Sequence, residues 1–346
     1  MNNDSTVPST SPDTGPTADP TDPTADPSGD PSGPTTTSRP PPGRGGRRSA
    51  TRPVELTNGQ VLAFEDFGAT EPDAPVVLFL HSSPGSRLLD PDPGATAAAG
   101  VRLVTVDRPG YGASSPWPVG TVPNLVEGAE WIAEGLGLLG IEQVAVVGWS
   151  AGGRAALALA ALYPTLVQRV ALVGAPAPDD EVAWLSDEHR QLGMTMRADP
   201  PEAMPTIIGV FSGSEPSAGA PSEQDMISMV AGGPGDDAVL ADATKREALL
   251  DMLRESFAQG PGGVATDIVA DHVAPWGFEL SSVVAPVAAF YSDLDTIVGP
   301  EHGSWYVEQV QNGTERPVSG VGHLLVLTEW ADILESVLDP VLDQPA

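Results

Sequence analysis

Ser150 stands at the centre of Gly148-Trp149-Ser150-Ala151-Gly152, a G-x-S-x-G spacing whose chemistry would be nucleophilic attack. A serine hydroxyl is a weak nucleophile at neutral pH. It needs a base to take its proton, and the base needs an acid to hold it. Five histidines are available. His323 lies in Gly320-Val321-Gly322-His323-Leu324-Leu325, a glycine-flanked loop before an apolar C-terminal segment, where a base can reach over a sheet end. His189 and His272 fall among charged residues and read as solvated, while His302, just after Pro300, reads as a solvent-facing or helix-capping residue. His81 directly follows an apolar run and reads as a residue that orients its loop. The expected base is His323.

The acid is expected past a late strand, Val287 to Tyr291, in Ser292-Asp293-Leu294-Asp295. Asp295 is the better placed of the two carboxylates and Asp293 the reserve. The bland alternative is that these aspartates only close a turn. The chain order is then Ser150, Asp295, His323.

The elements that must position these groups can be read from the apolar pattern. Val144 to Gly148 is a short valine-rich run, a buried strand, and Arg154 to Leu162 is an alanine- and leucine-rich helix. A sharp turn between them has no room for a Cβ at 148 or 152 and sets the serine at a helix N-terminus, whose N–H groups face developing negative charge. Pro53 to Leu56 and Val61 to Phe67 flank Asn58-Gly59 and form an expected hairpin. Further strands are expected at 76–80, 101–106 and 169–173, with a helix at 122–139. Continuous Val/Leu runs alternating with helices indicate a parallel sheet buried on both faces, whose ligand crevice lies beyond the C-terminal strand ends.

These landmarks, over about residues 53–342, resemble the α/β-hydrolase superfamily. His81-Ser82-Ser83-Pro84-Gly85 is similar to the family's H-G-x-P-G loop, with Ser82 in place of the usual glycine. Asp107-Arg108-Pro109-Gly110-Tyr111-Gly112-Ala113-Ser114 is similar to its D-x-x-G-x-G-x-S turn. The resemblance implies a mostly parallel eight-stranded sheet flanked by helices, with a helical cap inserted between strands. It implies Ser150, Asp295 and His323 as a catalytic triad, and it places the two oxyanion N–H groups at Ser83 and Ala151. Trp149 and Arg154 are further pocket candidates, Arg154 reading equally as a surface ion-pair partner.

The expected organisation is a tail at 1–50, a core at 51–176 and 283–346, and the cap at 177–282. The tail is rich in Pro, Thr, Ser, Asp and Gly, with repeats such as Asp26-Pro27-Ser28-Gly29 and Asp30-Pro31-Ser32-Gly33, and is expected to be disordered. The 177–282 stretch is acidic and helix-like, broken by Pro200-Pro201, Pro205 and Gly232-Gly233-Pro234, with scattered Met and aromatic residues for its own core and for a pocket.

Net charge is −31, with 47 acidic against 16 basic residues, of which Lys245 is the only lysine. Such a surface repels phosphate backbones and argues against nucleic acid as a partner. Cysteine is absent, so neither disulfides nor thiolate metal sites arise. No apolar run is long enough to span a bilayer or to serve as an export signal, which makes the cytoplasm the expected compartment. The oligomeric state is left open.

The reaction expected is hydrolysis of a small or medium carboxylic ester through an acyl-enzyme, with no metal or organic cofactor. Alternatives on the same triad are a proline-iminopeptidase-like aminopeptidase, a C–C bond hydrolase or lyase, and a cofactor-free perhydrolase. A non-catalytic ligand-binding module is the rival from a different class, which commonly lacks a triad member.

Overall fold

A computed structural model of the chain describes residues 51–212 and 221–338. The tail at 1–50, expected to be disordered, therefore lies outside the described residues. Eight strands form one sheet: β1 (Arg52–Glu55), β2 (Val61–Gly68), β3 (Val76–Leu80), β4 (Arg102–Val106), β5 (Val144–Trp149), β6 (Val167–Val173), β7 (Val287–Ser292) and β8 (Gly313–Val318). Their order across the sheet is β1-β2-β4-β3-β5-β6-β7-β8. Only β2 runs against its neighbours; β4 through β8 pair in parallel.

The hairpin closes at Asn58-Gly59, where Gly59 has φ 80 and the Asn58 side chain accepts the Gln60 N–H at 2.9 Å. Alternate side chains of β3 enter opposite cores. Leu78 and Leu80 pack with α2 (Leu125–Leu138) and α3 (Gly152–Leu162), and Val77 and Phe79 pack with Trp330 and Leu334 of α11 (Trp330–Leu338). Each such side chain contributes about 1.5–3 kcal/mol when removed from water. This two-sided burial explains why the strand sequences read as unbroken apolar runs. Helix α2 begins three residues later than the apolar pattern suggests, because Asn124 caps it by accepting the Glu127 N–H at 2.9 Å.

Between β6 and β7 the chain makes α4 (Asp187–Ala198), α5 (Pro200–Ser212), α6 (Glu223–Ser228), α7 (Pro234–Leu240), α8 (Ala243–Ser256) and α9 (Gly262–His272). Met196, Ala203, Ile207, Ala265, Val269 and Val273 give α4, α5 and α9 a small core of their own. The prolines do not all break helices as expected. Pro200 opens α5, and Pro205 lies inside it, forgoing one helical hydrogen bond. No helix among the described residues is long and apolar enough to cross a membrane.

Candidate active site

The loops after β3, β4, β5, β6 and β7 all leave the same edge of the parallel sheet. At the end of β5 the backbone reverses sharply, and Ser150 takes φ 54, a left-handed value that a residue with a side chain adopts only at a cost. The glycines on either side explain how the turn closes. A Cβ on Gly148 would lie 2.6 Å from the Gly153 Cα, and one on Gly152 would lie 2.6 Å from the His81 carbonyl oxygen. The Ser150 N–H donates to the Val173 carbonyl at 2.9 Å, tying the turn to β6, and α3 starts at Gly152.

Beyond β7, Asp295 accepts the N–H groups of Ile297 and Val298 on Oδ1, at 2.8 and 2.9 Å. Its Oδ2 faces Nδ1 of His323 at 2.7 Å, with both side chains buried. Asp293 lies apart from this pair, accepting the Gly320 N–H at 3.4 Å. Gly174, at φ 54 after β6, leaves room for the pair: a Cβ there would lie 3.2 Å from His323 Nδ1 and 3.4 Å from Asp295 Oδ2.

Trp149 links the serine turn to the histidine loop. It is fully buried, and its Nε1 donates to the His323 carbonyl at 3.1 Å. The hydrogen bonds of His323 run to Asp295, Trp149 and Asp236, and none of them reaches Ser150.

The loop after β3 is held by buried polar groups. The Ser83–Pro84 peptide is cis. Ser82, in place of a glycine, is accommodated by donating its hydroxyl to the Pro84 carbonyl at 2.6 Å. His81 lies 2.6 Å through Nδ1 from the Ser82 carbonyl, which makes Nδ1 the protonated nitrogen, and Nε2 accepts the Arg108 N–H at 3.4 Å. Burial, reinforced by the Arg108 charge, pushes its pKa well below the ordinary histidine value. Asp107 accepts the N–H groups of Arg87 and Ala113 at 2.7 and 2.8 Å, and burial raises its pKa.

Several residues behave differently from the expectations raised by the sequence. Arg154 is not on the surface; it is fully buried, donates to the Pro176 and Ala177 carbonyls at 3.0 and 3.1 Å, and pairs with Asp271 at 3.5 Å. His302 is 1% exposed rather than solvated, because α10 (Pro300–Gln309) packs its Nδ1 against the Ala177 N–H at 3.0 Å. His272 is half-buried against Trp184, with ring centroids 5.8 Å apart, and burial pushes its pKa well below the usual value. His189 is exposed, as expected.

A cavity of about 640 Å³ opens at Ser83, Ser150 and Ala151 and extends under α4, α5 and α9. Its walls include Met194, Met196, Ile207, Phe211, Val264 and Ile268. Asp179, Asp180, Asp267 and Asp271 also face it, and three of them are matched by an arginine: Asp179 by Arg190 at 2.6 Å, Asp267 by Arg108 at 2.6 Å and Asp271 by Arg154 at 3.5 Å. Burial raises the pKa of Asp271 to about 7, partly offset by Arg154.

Residues 75–329 match the sequence pattern of the alpha/beta hydrolase fold family. The chain belongs to this family. Solved structures agree on the fold. A hydrolase from Pseudomonas aeruginosa PA01 superposes with a TM-score of 0.63 at 19% identity, over 83% of this chain and 98% of that one. A bromoperoxidase from Bacillus anthracis superposes with a TM-score of 0.61 at 21% identity, over 84% and 98% respectively. In sequence, 103 residues are 41% identical to the dihydrolipoyllysine-residue acetyltransferase component of the acetoin cleaving system of Cupriavidus necator. That match spans 29% of this chain and only 26% of the relative's length.

Asp236, Asp267 and Arg108 escaped the sequence reading as site residues. Arg108 lies inside the turn motif quoted above and carried that much signal. The two aspartates sit in acidic helices with nothing local to mark them.

Proposed function

We propose that this α/β-hydrolase is a serine hydrolase of small or medium carboxylic esters. The observation that carries the reading is a linkage: Ser150, at a strained turn lining the cavity, is followed back through Trp149 to His323, whose Nδ1 meets Asp295 at 2.7 Å. In this reading His323 Nε2 takes the Ser150 proton as the hydroxyl attacks the substrate carbonyl. Asp295 keeps Nδ1 protonated and supports the imidazolium. The backbone N–H groups of Ser83 and Ala151 receive the oxyanion, each worth about 3–4 kcal/mol of transition-state stabilisation. The alcohol leaves with the proton from His323, and water, deprotonated by the same imidazole, releases the acid.

His81 orients the Ser83 loop in this scheme rather than acting as a base, since its depressed pKa and two backbone contacts leave it neutral and occupied. The helices between β6 and β7 act as the cap, supplying most of the apolar lining. The mostly apolar lining, Met196, Ile207, Phe211, Val264 and Ile268 among it, favours an uncharged acyl group and so an ester substrate.

The test is a burst-phase assay with a short p-nitrophenyl ester, beside fluorophosphonate labelling, on the wild-type chain and on Ser150→Ala. A burst and a label that both vanish in Ser150→Ala are the expected result. A folded wild-type chain with neither would overturn the reading.

A further inference from the structure

The loop that carries His323 is held by a carboxylate from a distant part of the chain. Asp236, in α7, is 1% exposed. Its Oδ1 accepts the Leu324 N–H at 2.8 Å, and its Oδ2 accepts the His323 N–H at 3.1 Å and the Gly232 N–H at 2.7 Å. His323 opens the short 3₁₀ turn His323–Leu327. The first N–H groups of such a turn have no acceptor within it and are ordinarily capped by the preceding side chain. Here the preceding residue is Gly322, which makes no side-chain cap. Asp236 supplies from the insertion the cap that the local sequence lacks.

The close fit explains the glycine. A Cβ on Gly322 would lie 2.6 Å from the Asp236 carboxyl carbon, so any side chain at 322 would push the carboxylate off its two amides. His323 is thereby held at three points: its N–H by Asp236, its carbonyl by Trp149 and its ring by Asp295. Asp295 restrains the ring only where the backbone delivers it. A shift of the turn would swing the imidazole away from both partners.

We propose that Asp236 is the positioning residue of His323, setting the backbone from which the imidazole reaches Asp295 on one side and the Ser150 hydroxyl on the other. The functional half of this inference rests on the serine-hydrolase reading; the geometric half does not. The insertion thus contributes to the catalytic geometry as well as to the cavity wall.

The experiment compares wild type with Asp236→Ala, Asp236→Asn and Gly322→Ala. It measures kcat and KM on the p-nitrophenyl ester, thermal midpoint, and the far-downfield proton resonance of the His323 Nδ1–H bonded to Asp295. Displacing the turn should lower kcat by about 100-fold in Asp236→Ala, the scale of a misplacement near 1 Å, and leave KM nearly unchanged. The resonance should disappear or broaden with it. Asp236→Asn keeps one acceptor and should recover part of the rate, while Gly322→Ala should reproduce the loss with the carboxylate still present. A lowered thermal midpoint with kcat and the resonance unchanged would make Asp236 a packing residue only and overturn the proposal. If Asp236→Ala does not fold, Asp236→Asn decides: an unchanged kcat and resonance overturn it, a reduced kcat with a shifted resonance supports it. If the wild type neither turns over ester nor takes the fluorophosphonate label, the hydrolase reading has failed. The resonance then still decides the positioning, by its loss or persistence in the variants.

Discussion

Asp267 receives two donors on one oxygen: the Arg108 guanidinium at 2.6 Å and the Tyr111 hydroxyl at 2.7 Å, across 159 and 156 residues of sequence. Arg108 also donates to the Ser82 carbonyl at 3.0 Å and to the His81 carbonyl. Ser83 Oγ lies 2.8 Å from the Tyr111 hydroxyl, whose proton is committed to Asp267, so the serine donates to it. One carboxylate on α9 therefore anchors, through two side chains, the loop that carries Ser83.

Asp267→Ala should destabilise the fold by about 3–5 kcal/mol, because Arg108, 5% exposed, would keep a buried charge without its partner. Tyr111→Phe leaves that pair in place and should cost about 1 kcal/mol, with a modest loss of turnover as the Ser83 hydroxyl loses its acceptor. Denaturant unfolding of both variants measures the difference; equal costs would show that the ion pair carries no special weight.

Asp295→Asn should lower kcat by about 10³–10⁴-fold with little change in KM. Asn keeps a carbonyl for the Ile297 and Val298 N–H groups but turns its NH₂ toward His323, which forces the wrong imidazole tautomer. Steady-state kinetics on the ester, with thermal midpoints to show the fold is kept, checks this.

Trp149→Phe removes the donor to the His323 carbonyl and leaves that buried oxygen unpaired, at about 1–3 kcal/mol. Turnover should fall more than substrate binding, because the link between the serine turn and the histidine loop is lost. A KM rise with unchanged kcat would instead mark Trp149 as a pocket wall.

Asp90 gives a pH-dependent prediction. It is buried, its Oδ1 accepts the Thr96 hydroxyl at 2.7 Å, and burial raises its pKa from 3.8 to about 6. The folded state holds this proton more tightly than the unfolded state. The stabilising contribution is therefore complete below about pH 4 and is lost as the pH rises through about 6. Asp90→Asn should be more stable than wild type at pH 8, by up to about 2–3 kcal/mol, and the advantage should vanish near pH 4. Unfolding free energies at the two pH values test it; an equal difference at both would refute the assignment.

The strand–turn–helix pattern around Ser150 and the apolar runs before Asp295 and His323 are governed by neighbours in the chain. Backbone sterics at Gly148 and Gly152, strand periodicity and turn chemistry act over a few residues, and so the sheet, the turn and the meeting of Asp295 with His323 were legible in the sequence. The sheet's connectivity did the rest, since parallel strands bring all their trailing loops to one edge. What only the tertiary structure decided is which distant charges meet. Arg154 read equally as a pocket or a surface residue and His302 as solvent-facing or capping, because burial is a property of what packs against them, the carbonyls of Pro176 and Ala177 and the Ala177 N–H. Asp236 and Asp267 looked like two more acids in an acidic insertion. Their partners stand 87 and 159 residues away, and a carboxylate in a helix carries no local mark of the amide or guanidinium that will close over it.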